Sequence, residues 1–212
     1  MESLENKGPP FFLTFLREKL VGRLELDQNA LSGSLPTEVG NLAELKLIHV
    51  HRNDLSGRIP SQICNLGRLS DLRLYHNALS GFLPSEIGLM PSLAELRMHF
   101  NNLNGILPTQ MGDLSELHHL ELTGNKFVGR IPSEFGMLSS LTSLSMSCNQ
   151  LTGTIPSSFG MMAGVEWLDS ARNELTGVVP SELGLLTRLS DLRLNNNLMT
   201  GPIPREIANC AW

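Results

Sequence analysis

The sequence predicts an α/β repeat solenoid, a stack of coils that each contribute one short strand and one back segment of 3-10 or extended structure. Three observations predict it. Asn29, Asn53, Asn77, Asn101, Asn125, Asn149, Asn173 and Asn197 follow one another at a constant interval of 24 residues, the signature of a repeat architecture. Around each Asn the apolar positions recur in one pattern, as in LSDLRLYHNALSGFLPSEIG from Leu69 to Gly88. Glycine and proline punctuate every unit at fixed offsets, Gly33, Gly57 and Gly81 being matched by Pro36, Pro60 and Pro84.

The elements follow in order. Residues 1–20 contain PPFFLTFLREKL, in which Phe11, Phe12, Phe15, Leu16 and Leu20 fall at near-helical spacing; this predicts a helical N-terminal cap segment over the first coil, which terminal repeats need. Residues 21–212 divide into eight repeats of 24 residues. In each, apolar residues such as Leu72 and Leu74 alternate with polar ones such as Arg73, the period of a strand with one buried face. Leu79, Leu83 and Ile87 return the chain to the same interior, and only stacked coils can bury them. The periodic Asn suits a ladder of side-chain bonds to the backbone at the turn leaving the strand. The glycine four residues later suits a turn with positive φ. The proline fixes φ, and the Ser or Thr that follows it in seven of the eight units is expected to cap a short helical turn. Ser170 stands where other units carry an apolar residue, so the seventh coil is expected to be the least stable.

Composition narrows the function. The chain has 212 residues, 41% of them hydrophobic, with 16 Lys and Arg against 21 Asp and Glu, enough for one buried core. The acidic balance argues against a nucleic-acid partner, because phosphate neutralisation needs a basic surface. No stretch of about 18 apolar residues is available to span a bilayer. Glu2 and Glu5 lie where a secretory signal would be positive, and no small-residue cleavage site follows. Cys64, Cys148 and Cys210 are too widely spaced for a disulfide framework or a CxxC motif, and no Asn opens an Asn-X-Ser/Thr acceptor. These features lean towards an intracellular or organellar chain, and no cofactor is called for.

The segment LxGxIPxxIGxL, seen as LSGRIPSQICNL from Leu55 to Leu66 and LTGTIPSSFGMM from Leu151 to Met162, resembles the plant-type leucine-rich repeat. That repeat occurs in receptor-like kinase ectodomains, receptor-like proteins and polygalacturonase inhibitors, as well as in algal and protist proteins. The resemblance covers residues 21 to 210 and implies a right-handed curved superhelix with a parallel sheet on its concave side and ligands bound there or on the flanks. Secreted members commonly carry paired cysteines in flanking caps, which this sequence lacks. Cys64 replaces the usual Gly and Cys210 the usual Leu, so both read as core residues. The end at Trp212 leaves open a minimal cap, a longer polypeptide or a multi-subunit assembly.

The invariant positions are accounted for by the coil, so function is sought in the variable residues of the strands. All six histidines and the single tyrosine fall in strands two to five. Neighbouring strands lie roughly 4.8 Å apart, so His51, Tyr75 and His99 are expected in one row and Arg52, His76 and Phe100 in the next. With His49, Arg73, Arg97 and His119 they make an aromatic and basic patch of the kind that anchors interfaces. All the histidines except His118 are expected on the exposed side. Metal ligation by His49 and His51 is disfavoured by their rigid spacing and the lack of a completing Cys or carboxylate pair. Cys148, Ser143, Ser145 and Ser147 lack a nearby His, which speaks against an enzyme. The plant peptide-hormone receptors that the repeat resembles often hold a peptide carboxylate with Arg-X-Arg on one strand; Arg73-Leu74-Tyr75 and Arg97-Met98-His99 lack that pair, and Asp71 and Glu95 are placed to neutralise the two arginines. Glu38, Glu86, Glu134, Glu182 and Glu206 form a solvated ladder on the back. The expected function is a non-enzymatic protein or peptide interaction module, receptor-like or structural. The alternative is an ice- or lattice-binding solenoid, prompted by the Ser/Thr row from Thr37 through Ser61 and Ser85 to Ser181.

Overall fold

The computed structural model describes residues 22–211; the expected cap segment over residues 1–20 and Trp212 lie outside them. Eight inner strands, from Arg23–Glu25 through Asp71–Arg73 and Glu95–Arg97 to Asp191–Arg193, pair in chain order into one parallel sheet. Arg23 lies opposite Leu47, Leu47 opposite Asp71, and Asp71 opposite Glu95. The repeat length is therefore the register of this inner sheet: every residue of an inner strand meets its own counterpart in the next coil.

The back of the coil carries both kinds of structure that the sequence predicts. Eight 3-10 turns, from Thr37–Asn41 to Arg205–Asn209, stack along one edge, and no α-helix is present among the described residues. The extended part goes further than isolated segments, because seven outer strands from Ser32–Ser34 to Glu174–Leu175 pair into a second parallel sheet. Between the two sheets and the turns run the coil's apolar side chains, with Leu72, Leu74, Leu79 and Ile87 at 0% exposure. Each such side chain contributes roughly 1.5–3 kcal/mol by leaving water, and only the neighbouring coils make that burial complete.

The Asn ladder ties each coil to the one before it. Asn101 Nδ2 donates to the Leu74 carbonyl of the preceding coil (3.1 Å) and to Met98 O of its own (3.1 Å), while its Oδ1 accepts from Leu79 N (3.0 Å). The same three bonds recur at Asn53, Asn77, Asn125, Asn149, Asn173 and Asn197. Backbone groups that the turn would leave unpaired in the interior are thereby satisfied.

The expected Ser/Thr caps are corrected by the structure. Proline occupies the cap position of every 3-10 turn, and no side chain caps any of them. The hydroxyl therefore sits one residue inside the turn, too far along to reach its free N–H groups. Those of Thr37, Ser85, Ser133 and Ser181 instead donate to the adjoining carboxylates of Glu38, Glu86, Glu134 and Glu182 at 3.1 to 3.3 Å. Cys64 and Cys210 are buried as expected. Burial, with Glu86 alongside, pushes the Cys64 thiol up to about 12. In coils one and three to seven the residue here is glycine, where a Cβ would collide with the next coil's carbonyl, as at Gly88 against Gln110 O, and the turn that carries Cys64 packs correspondingly less closely on its successor.

Candidate functional site

The inner strands of coils two to five set the expected residues side by side. His51 and Tyr75 stack at 4.2 Å between ring centroids, Tyr75 and His99 at 4.3 Å, and His76 and Phe100 at 4.7 Å. These are the spacings of offset stacked rings, and they follow directly from the register of the sheet. The two rows also touch: Tyr75 meets His76 edge-on at 5.8 Å and His99 meets Phe100 at 5.5 Å.

Contact between consecutive residues is unusual in a strand, where neighbours point to opposite faces. Here it depends on backbone conformation. Arg52, His76 and Phe100 have φ of 54°, 53° and 54°, as do their equivalents Gln28, Cys148, Arg172 and Asn196 within a few degrees. The left-handed region costs a non-glycine residue about 1 kcal/mol or more. It is held by the adjoining coil, since His76 N donates to His99 O (3.0 Å) and Phe100 N to Thr123 O (2.8 Å). The result turns the second and third side chains after each strand onto one face. Coil five carries Gly124 at this position, and Phe100 leans into the space that a side chain there would fill. A hollow of about 330 Å³, lined by Asn53, Asp54, His76, Asn77, Ala78 and Phe100, adjoins the outer row.

Below the rings lies a lattice of charge. His49 Nε2 stands 2.8 Å from Asp71 Oδ2, and the Arg73 guanidinium 2.9 Å from the same carboxylate. Arg97 pairs with Glu95 at 2.8 Å and approaches Glu121 at 3.7 Å. His99 Nδ1 comes within 2.8 Å of Glu121 and His119 Nδ1 within 2.6 Å of Glu95, close contacts that lie off the donor direction of each ring. His51 reaches Asp27 at 3.5 Å. His99 beside it holds the Glu121 carboxyl below its usual range, with Arg97 adding to the effect. Asp71 and Glu95 do neutralise Arg73 and Arg97, as their positions predict. Arg52 is the arginine of the patch that stands in no ion pair among the described residues.

One expectation is corrected. His51 faces the inner surface but is buried, at 7% exposure, because Tyr75 covers one side of its ring and Asp27 closes the edge. Desolvation pushes its pKa below the usual histidine value, opposed by Asp27 and aided by His49, Arg73 and Arg52. His49 and His99 are half-buried, and Phe100 is 49% exposed. His118 is exposed too, but on the approach to its strand, its Nδ1 lying 2.6 Å from Glu116 O. The carboxylates Asp27, Asp71, Glu95 and Glu121 belong to the arrangement as partners of the histidines, a role beyond the neutralisation of Arg73 and Arg97 expected of Asp71 and Glu95. Their signal is the spacing: each lies 22 or 24 residues from its histidine, the offset of an adjacent strand. No group of His, Cys, Asp and Glu able to hold a metal occurs among the described residues, nor does a helix long and apolar enough to cross a membrane.

A stacked-coil solenoid presenting a rigid, side-chain-rich inner sheet defines an interaction protein of the repeat class. The chain belongs to the leucine-rich-repeat proteins: leucine-rich-repeat family models match residues 139–199, 44–66 and 116–138. No curated protein sequence matches it significantly. Among solved structures it is similar to the plant peptide hormone receptor RGFR1 in complex with RGF2, at 32% identity and a TM-score of 0.78, over 89% of this chain and 34% of that one. It is similar also to the Arabidopsis receptor kinase HAESA in complex with the peptide hormone IDA and the co-receptor SERK1 (31% identity, TM-score 0.85, 88% and 31%). A plant ice-binding protein is similar at 27% identity and a TM-score of 0.64, over 87% of this chain and 74% of that one. The chain thus spans about a third of the receptor chains that it matches.

Proposed function

We propose that this chain is a non-enzymatic module that holds a protein or peptide, rather than a nucleic acid, on the inner sheet of coils two to five. The observation that carries the reading is the pair of stacked rows, His51–Tyr75–His99 and His76–Phe100. Rings already fixed against one another lose little conformational entropy when a partner covers them, and the coil itself does not need them outward. Arg52 supplies at the rim a cation without an ion-pair partner among the described residues. Arg73, Arg97, His49, His51, His99 and His119, already engaged by carboxylates, set the polar contour around it. The solved complexes of RGFR1 and HAESA with peptide hormones support a peptide as the class of partner.

The test is affinity capture from the native source followed by binding measurements. Tyr75→Ala and Phe100→Ala are expected to weaken the captured partner by roughly 2 kcal/mol each while leaving the thermal midpoint nearly unchanged. Intact affinity in both variants, with loss on changing Glu86 and Glu134, would refute the inner-sheet site. A second reading is favoured by one finding: the Ser/Thr row does no capping, which removes the simplest structural account of it. Strong inhibition of ice recrystallisation by the native chain, lost in Ser61→Ala/Ser85→Ala, would establish lattice binding instead.

A further inference from the structure

The outer sheet carries a second row of side chains that the coil does not need. One residue past the glycine of each unit, Arg58, Phe82, Ile106 and Arg130 come from consecutive coils. Each lies flat across the glycine of the next coil. A Cβ at Gly81 would come within 2.9 Å of Arg58 Cγ, one at Gly105 would collide with the Phe82 ring, one at Gly129 would meet Ile106 Cγ2 at 3.0 Å, and one at Gly153 would meet Arg130 Cγ at 2.9 Å. The four side chains therefore overlap like shingles along the solenoid axis, their positions fixed by the absence of a side chain beneath them.

Their chemistry is uncommon for a soluble face. Phe82 and Ile106 are 63% and 66% exposed, adjacent, and flanked at either end by an exposed arginine that stands in no ion pair among the described residues. The chain as a whole is acidic, with a formal charge of −5. On this face of coils two to five Lys126 adds a positive charge, and Asp54 is the acidic residue of the outer strands. Glu86 and Glu134 on the following turns accept from Ser85 and Ser133 rather than from either arginine. At the Arg130 end the row opens into a groove of about 910 Å³, whose lining includes Ile131, Thr154, Pro156 and Val178.

We propose that this row is a second interaction surface, separate from the inner sheet, which takes an extended acidic segment of a partner protein with apolar residues between two carboxylates. Arg58 and Arg130 are three coil steps apart, roughly 14 Å at the spacing of neighbouring strands, a span that four or five residues of extended chain cover. Each guanidinium can receive one carboxylate in paired hydrogen bonds. Phe82 and Ile106, already held flat, receive the apolar side chains between them without ordering of their own.

The test is selection of a displayed random peptide library on the folded chain, followed by fluorescence anisotropy with the enriched peptides. The expected consensus has two Glu or Asp four or five residues apart with apolar residues between. Its affinity should fall at least tenfold in Phe82→Ser/Ile106→Ser and in Arg58→Gln/Arg130→Gln, and stay unchanged in Tyr75→Ala/Phe100→Ala. All six positions are at least partly exposed, and equal thermal midpoints check that the variants are folded. Enrichment of basic peptides, no enrichment, or binding indifferent to both outer-row variants would overturn the proposal. So would binding of anionic phosphatidylserine vesicles that depends on Phe82 and Ile106, which would make the row a lipid contact.

Discussion

Phe100 Cδ1 stands 2.6 Å from the point where a Cβ on Gly124 would lie, so ring and glycine share one space. The position of Phe100, and through it that of His76 stacked 4.7 Å away, is set by the residue one coil further on. Gly124→Ala is therefore expected to push the Phe100 ring off its seat. At φ of 67° alanine is also strained, with a stability loss of about 1 kcal/mol. Ring-proton NMR shifts of His76 and Phe100 should change while those of His51 hold. Unchanged shifts at Phe100 would show that Gly124 does not place the ring.

Almost the whole coil was legible in the sequence because its constraints repeat eight times. A constant interval between Asn residues is also the strand register, so Tyr75 beside His51 and His99 follows from counting. What stayed hidden depends on conformation within one coil. Nothing in the types Arg52, His76 or Phe100 announces a left-handed backbone, since the hydrogen bonds that enforce it come from the next coil's carbonyls. The burial of His51 is not legible from its position, because a side chain that faces the inner surface can still be covered, here by Tyr75 and Asp27. The pairing of the outer strands is not legible from the repeat, because their register, Ser32 opposite Asp54, is 22 residues and not the repeat interval.

Acid should weaken the fold. The pKa values of His51 and His76 are depressed, in each case chiefly by burial, so the unfolded chain takes up protons near pH 6.5 before the folded one does. Stability contributed by the neutral rings is present above that value and lost as pH falls through the folded-state values. Glu121 adds a second loss at lower pH, because its own depressed carboxyl stabilises the fold only while ionised. Urea midpoints should fall from pH 7.5 to 5.5, most of the change arising at His51, the more buried histidine. In His51→Phe, which keeps a ring on Tyr75 but cannot charge, that fall should shrink. An equal fall in native and variant chains would assign the acid sensitivity elsewhere.

Ser170 is 0% exposed, and its hydroxyl has no hydrogen-bond partner among the described residues. The backbone around it is satisfied: its N–H donates to Arg193 O at 2.8 Å, and its carbonyl accepts from Asn173 and Asn197 at 3.2 and 3.0 Å. The defect is therefore the side chain alone, set where Leu74, Met98, Leu122 and Met146 fill the same position in earlier coils. A buried hydroxyl without a partner costs about 1–3 kcal/mol, and the lost apolar volume adds to it. Ser170→Ala removes the unpaired group without crowding the site, so it should raise stability by about 1 kcal/mol. In the native chain, amide exchange at Leu168, Ser170 and Asn173 should outpace that at Leu96, Met98 and Asn101. Fraying from the C-terminal side would also speed coil seven, so the comparison that decides is between native chain and Ser170→Ala. Slower exchange at Ser170 and Asn173 in the variant assigns the weakness to the hydroxyl; equal rates assign it to the end of the stack.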